Sequence, residues 1–175
     1  MLPTQYQWLT TIAPPKVIAE ALQLYGTLEK IGPASNPVIL EWASEVGLSK
    51  TYTGDDIPWC GLFVATVVNR AGYEVVDKPL WARSWLDYGI NAQVPSLGDV
   101  LVFSRDGGGH VAFYVAEDAM CYHVMGGNQS DSVSITRVNK TRLLGARRSK
   151  WKIAQPASVK PYKIGANGVV STNEA

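Results

Sequence analysis

A nucleophilic cysteine, a titratable base and a group to orient that base are the minimum for covalent acyl transfer, and this chain has few candidates for each role. Cys60 stands in Asp55-Asp56-Ile57-Pro58-Trp59-Cys60-Gly61-Leu62-Phe63-Val64-Ala65, where polar loop residues give way to an apolar helical pattern. The thiolate is the reactive form of cysteine, and the unpaired amides and positive dipole end of a helix start favour it. The base must titrate near neutrality, and the chain holds two histidines, His110 and His123. His110 opens a predicted strand directly after Gly107-Gly108-Gly109, an approach that contributes nothing to packing. His123 lies inside an apolar strand, on the same face as Cys121, where imidazole ordinarily serves structure. The orienting role is open to Asp, Asn, Glu, Gln or another His. Gly126-Gly127-Asn128-Gln129 follows the strand expected to pair with that of His110, so Asn128 can lie beside the ring, although Gly-Gly-Asn is equally a turn sequence.

The elements that must position these residues are legible from periodicity. Pro14 to Tyr25 reads as a helix closed by Gly26, and Asn36 caps a second helix that begins at Pro37 and stops before Gly47. Gly32-Pro33-Ala34-Ser35 connects them. Cys60 to Ala71 is a third, strongly apolar helix with Gly72 as its stop. A short helix is expected from Trp81 to Tyr88, with Trp81 and Trp85 on one face. Trp59, Trp81 and Trp85 are candidate cleft walls, since indoles suit both a core and a binding surface. After Gly98 the period becomes that of strands: Asp99 to Ser104, His110 to Ala116, Met120 to Met125, Ser132 to Val138 and Arg142 to Arg147. Helices followed by an antiparallel meander make an α+β domain over residues 1–148. Residues 149–175 read as an extended, partly ordered C-terminal extension, whose Trp151 and Tyr162 could anchor it on the domain or on a ligand.

Composition narrows the class. The chain of 175 residues is 46% hydrophobic and 18% charged, with 16 basic residues against 15 acidic ones, which suits one compact domain with a real core. A net charge of +1 gives no reason to expect nucleic acid, and the basic residues between Arg137 and Lys163 read as a solvated face. No apolar run approaches the ~20 residues of a membrane span, and no signal peptide is visible, so cytoplasmic synthesis without self-export is expected. Cys60 and Cys121 are expected as free thiols. Asp55 and Asp56 could contribute to a calcium site, but they lack the repeated oxygen pattern of a dedicated loop; no metal or cofactor is expected.

Four ordered motifs then carry a resemblance: Pro58-Trp59-Cys60-Gly61-Leu62-Phe63, Gly98-Asp99-Val100-Leu101-Val102-Phe103, Gly109-His110-Val111-Ala112-Phe113-Tyr114 and Gly126-Gly127-Asn128-Gln129. Together they resemble the CHAP and NlpC/P60 cysteine peptidases, in particular a phage branch, from about Pro14 to Arg148. The resemblance implies a papain-like fold, with N-terminal helices packed on an antiparallel sheet, and cleavage of amide bonds in the peptide part of bacterial peptidoglycan. It implies Cys60 as nucleophile, His110 as general base and acid, and Asn128 as orienting residue. Many CHAP members carry glutamate where this chain has Gly126, and many NlpC/P60 members use a second histidine near the position of His123, so His123 is the alternative third residue. The function implied is that of a monomeric endolysin, made in the host cytoplasm and acting on the wall after release. The alternatives are a wall-binding or virion structural protein on the same fold and a secreted antibacterial amidase.

Overall fold

The computed structural model describes residues 1–175 apart from Pro33, Asn173 and Ala175, so Pro33 of the expected connector lies outside the described residues. Among the described residues three α-helices precede the sheet: α1 (Lys16–Leu24), α2 (Pro37–Glu45) and α3 (Cys60–Arg70). The prolines before α1 precede it instead of forming its first turn. Pro15 is the N-cap, with an extended ψ of 151°, and a residue followed by proline, as Pro14 is, is steered away from helical geometry. Asn36 caps α2 by accepting from the Val38 amide at 2.9 Å. Helix α3 is buried along Cys60–Val68, because α1 and α2 cover it on one side and the sheet on the other.

Among the described residues the sheet has seven strands: β1 (Ile90–Asn91), β2 (Val100–Arg105), β3 (Gly108–Glu117), β4 (Cys121–Gly126), β5 (Ser134–Asn139), β6 (Leu143–Arg148) and β7 (Val170–Ser171), in spatial order β1-β6-β2-β3-β4-β5-β7. The fold is α+β. The sheet is mixed where an antiparallel one was expected: the first six strands pair antiparallel, but β7 runs parallel to β5, with Arg137 opposite Val170. Alternation along β3 divides its side chains. Val111, Phe113 and Val115 join the core shared with α3, where the rings of Phe63 and Phe113 meet edge-on at 6.1 Å. Ala112 and Tyr114 join a second cluster on the other face with Leu101, Phe103 and Val124. Burying each large apolar side chain contributes about 1.5–3 kcal/mol.

One further departure from expectation has a clear cause. Residues Ala82–Asp87 form a 3-10 helix, whose three residues per turn rotate positions four apart onto different sides. Trp81 is accordingly 72% exposed and Trp85 fully buried, so they share no face. The segment after residue 148 is held on the domain through its aromatic residues and β7. Glu117 donates its amide to Tyr162 O (2.8 Å) and accepts from the Ile164 amide (3.0 Å), Tyr162 stacks on Trp8 of the N-terminal 3-10 helix Thr4–Thr10 at 4.4 Å, and β7 extends the sheet. Trp151 meets Tyr73 edge-on at 6.1 Å. Among the described residues, no helix is long and apolar enough to cross a membrane.

Candidate active site

Cys60 is the first residue of α3, with Trp59 as N-cap, and its thiol is free of any disulfide. The sulfur lies where the Val111 amide can donate to it, and the amides of Gly61 and Cys60 itself also face it. Cys60 therefore sits beside the residue that follows His110. It is only 5% exposed. Burial pushes its thiol above the ordinary value, against the lowering pull of the Val111 amide and of the Arg105 charge.

His110 is completely buried, and its ring stacks on Phe103, the residue opposite it on β2, at a centroid distance of 6.5 Å. Its Nε2 lies 3.0 Å from Gln129 Oε1. The remaining bonds of Gln129 fix the direction of this contact. Gln129 Nε2 donates to the carbonyls of Ser134 (2.7 Å) and Val124 (3.4 Å), and carbonyls only accept. The amide oxygen must therefore face the imidazole, so His110 Nε2 carries the proton and donates it. The other nitrogen, Nδ1, is left with its lone pair, buried and without a hydrogen-bond partner among the described residues. Burial pushes the His110 pKa down to about 4, against the raising effect of Glu174 and Gln129. The ring is thus neutral at pH 7, with an unoccupied acceptor.

Glu174, itself 1% exposed, holds Arg142 through both carboxylate oxygens at 2.7 and 2.8 Å. Arg142 in turn donates to Ser104 O at 2.9 Å, at the end of β2 beside Gly109. Burial opposes the Glu174 charge, but the Arg142 bonds and the nearby His110 hold its pKa below the ordinary value.

Neither side chain expected to orient His110 does so. Asn128 is 7% exposed, has φ 54° and makes no side-chain hydrogen bond among the described residues. Its contribution is conformational: asparagine tolerates the left-handed region, and that rotation turns the following residue, Gln129, toward the ring. His123 belongs to a separate buried network. It receives the Tyr6 hydroxyl at 2.7 Å and bonds Asp118 at 2.9 Å, and Asp118 also takes Arg137 at 2.8 Å. Burial lowers the His123 pKa, against the opposing pull of Asp118.

Gln129 was missed because a turn residue has no periodicity, although glutamine is among the side chains able to orient an imidazole. The clue was the pair of glycines before it. A Cβ on Gly126 would lie 2.7 Å from Gln129 Oε1, and one on Gly127 would lie 2.6 Å from Phe63 Cβ and 2.7 Å from the Trp59 ring. The absence of a side chain at 126 is what gives Gln129 its place.

The three tryptophans separate. Trp59 is fully buried, donates to Glu29 Oε2 at 3.0 Å and packs under Gly127, so it fixes the turn bearing Gln129 relative to Cys60. Trp85 is also fully buried and donates to Pro79 O at 2.9 Å. Both correct the expectation of cleft walls, because neither has surface to offer a ligand. Trp81 remains exposed, in a hollow of about 390 Å³ that it lines with Lys78, Arg83 and Ser84. A further cavity of about 680 Å³ lies at the far end of α3 and is lined by Tyr73, Tyr88 and Trp151.

Asp55 is buried, with Oδ2 accepting the amides of Lys30 (2.9 Å) and Asn36 (2.8 Å). Burial works against its charge, but these amides outweigh it and hold its pKa low. Its role is to brace the connector between α1 and α2. Among the described residues no group of three or more His, Cys, Asp or Glu side chains is placed to hold a metal ion. No model of a protein family matches this chain, and no curated protein matches it, so its function has to be read from these residues and their geometry.

Proposed function

We propose that the chain is a cysteine-dependent amidohydrolase of papain-like architecture that cuts the peptide part of bacterial peptidoglycan, as a phage-type lysin does. The observation that carries this reading is the unpartnered Nδ1 of His110, whose tautomer is set by Gln129 and which belongs to the residue adjoining the Val111 amide at the Cys60 sulfur. A buried lone pair without a donor is costly in a structural histidine and useful in a base. Burial disfavours charge on both partners, so the resting pair is thiol and neutral imidazole. His110 Nδ1 takes the thiol proton as sulfur attacks the amide carbonyl. First-turn amides of α3 receive the oxyanion, and Gln129 stabilises the imidazolium by accepting from Nε2. The imidazolium returns its proton to the departing amine, leaving a thioester that water hydrolyses. Catalytic hydrogen bonds are often open before substrate binds, which accommodates the missing Cys60–His110 bond.

Purified peptidoglycan incubated with the protein should release peptide fragments with new amine and carboxyl ends by mass spectrometry. The Cys60→Ser variant should lose ~10³-fold or more of that rate while keeping the wild-type melting profile. Undiminished cleavage by Cys60→Ser would sink the mechanism. The near-complete burial of Cys60 and His110 favours a second reading, a wall-binding or virion structural protein with an idle thiol. Wall binding by the wild type with no fragment released would select it.

A further inference from the structure

The cavity at the far end of α3 is enclosed by three segments that the chemistry of Cys60 does not use: Asn69 in the last turn of α3 with Tyr73 and Glu74 behind it, Asp87 at the end of the 3-10 helix, and Lys150 and Trp151 after β6. Asn69 follows the cysteine on the same helix, and at 1.5 Å per residue their separation along the axis is roughly 13 Å. The volume, about 680 Å³, is that of a small-molecule site.

Its walls are fastened to one another by bonds that leave those polar side chains free. Lys152 Nζ donates to Gly72 O at 3.0 Å, Arg147 Nε donates to Tyr88 O at 2.7 Å, and the hydroxyls of Tyr88 and Ser149 pair at 2.8 Å. Gly89, with φ 50°, runs so close to the end of β6 that a Cβ there would overlap Arg148 O. The hollow is therefore pre-formed, and a ligand entering it has little chain to order.

The lining selects the class of ligand. Tyr73 and Trp151 meet edge-on, with an interplanar angle of 85°, so they make a corner instead of a parallel slot, and a flat base finds no second ring to sandwich it. Trp151 is half-buried and its Nε1 is shut off from solvent, so the surface it offers is carbon. The negative π face of such a ring attracts C–H groups that carry partial positive charge. Around the corner stand the exposed side chains of Asn69, Glu74, Asp87 and Lys150, none with a hydrogen-bond or ion-pair partner among the described residues. The two carboxylates are balanced by Lys150 and Lys152, so the site has no net charge with which to select an ion. What it presents is acceptors and donors side by side, and a hydroxyl, which donates once and accepts twice, uses both. A pyranose ring has this complement: C–H groups on one face and hydroxyls around its edge.

We infer that this cavity binds a neutral saccharide chain, with one pyranose ring resting on Trp151 and its hydroxyls bonded by Asn69, Glu74, Asp87 and Lys150. Nothing in this binding requires a nucleophile at Cys60, so the site stands apart from the hydrolase reading.

Titration of the full-length protein with chitotriose, cellotriose and adenosine, followed by heteronuclear NMR, tests it. At least one of the trisaccharides should bind saturably and shift the resonances of Asn69, Tyr73, Asp87 and Trp151. Tighter binding of chitotriose marks an N-acetylated glycan as the ligand, and tighter binding of cellotriose an unmodified glucan. Trp151→Ala should weaken binding about tenfold or more, the loss expected for a central aromatic anchor. Since that substitution also removes a contact with Tyr73, the double variant Asn69→Ala with Asp87→Ala, at two exposed positions, should weaken binding severalfold at an unchanged melting temperature. Cys60→Ala should bind as the wild type does. Binding of neither trisaccharide, shifts confined to residues outside this cavity, affinity unchanged in both variants, or adenosine bound more tightly than either sugar would each rule the saccharide site out and leave a solvated cleft or a different ligand class.

Discussion

His110 and Gln129 form a donor–acceptor pair whose direction follows from two backbone carbonyls, those of Ser134 and Val124, and this makes its role separable from that of Asn128. Gln129→Ala should lower kcat on peptidoglycan by about 10-fold or more, because the imidazolium loses its acceptor and the ring its orientation. Asn128→Gly should leave kcat within about twofold, since glycine adopts the same left-handed φ without strain. Steady-state kinetics of the two variants decides between Asn128, the orienting residue expected from the primary structure, and Gln129, which bonds the ring. A larger loss in Asn128→Gly than in Gln129→Ala would overturn the assignment.

Among the elements, α3 and the 78–87 segment are joined by contacts too close for substitution. Gly61 sits under Pro79 O, and Trp85 donates to the same carbonyl. Gly61→Ala must push that backbone away, and overpacking of this kind costs about 1–3 kcal/mol. Trp85→Phe keeps most of the ring but leaves Pro79 O without its donor, at about 1 kcal/mol. Urea midpoints should fall in that order. Gly61→Ala should also raise KM more than Trp85→Phe does, because it moves the surface that borders Cys60. Unchanged stability in Gly61→Ala would mean that the segment is not clamped as described.

At the scale of the whole molecule, the buried neutral His110 ties stability to pH. Its folded pKa of about 4 lies below the ordinary 6.5, so the unfolded chain binds more protons between these values. The His110 contribution is complete above pH ~6.5 and is lost as pH falls toward 4, by at most on the order of 3 kcal/mol. His123 is lowered too and adds to the same trend, and carboxylates such as Asp118, held low by Arg137 against the cost of burial, act at still lower pH. Urea denaturation of wild type and His110→Gln from pH 7.5 to 4 isolates the His110 share. The stability difference should shift in favour of the variant as pH falls, and parallel curves would show that His110 is not a buried neutral imidazole.

The primary structure by itself determined the local parts. Asn36 before Pro37, the glycines after each helix and the change from helical to strand period near Gly98 are nearest-neighbour signals, and they place Cys60 at the head of a helix and His110 near the head of a strand. Only the tertiary structure decided what those residues meet. Gln129 reaches His110 because a left-handed Asn128 and a side-chain-free Gly126 turn it inward. Trp85 and Trp81 part company because a 3-10 turn replaces an α-helical one. Residues 149–175 read as a polar tail yet supply β7 and Glu174, since partners such as Arg137 and Arg142 lie about thirty positions away in the chain. Helix caps and strand periods are short-range and leave their mark in consecutive residues; hydrogen-bond partners and burial are set by the meeting of distant segments, which no local pattern encodes.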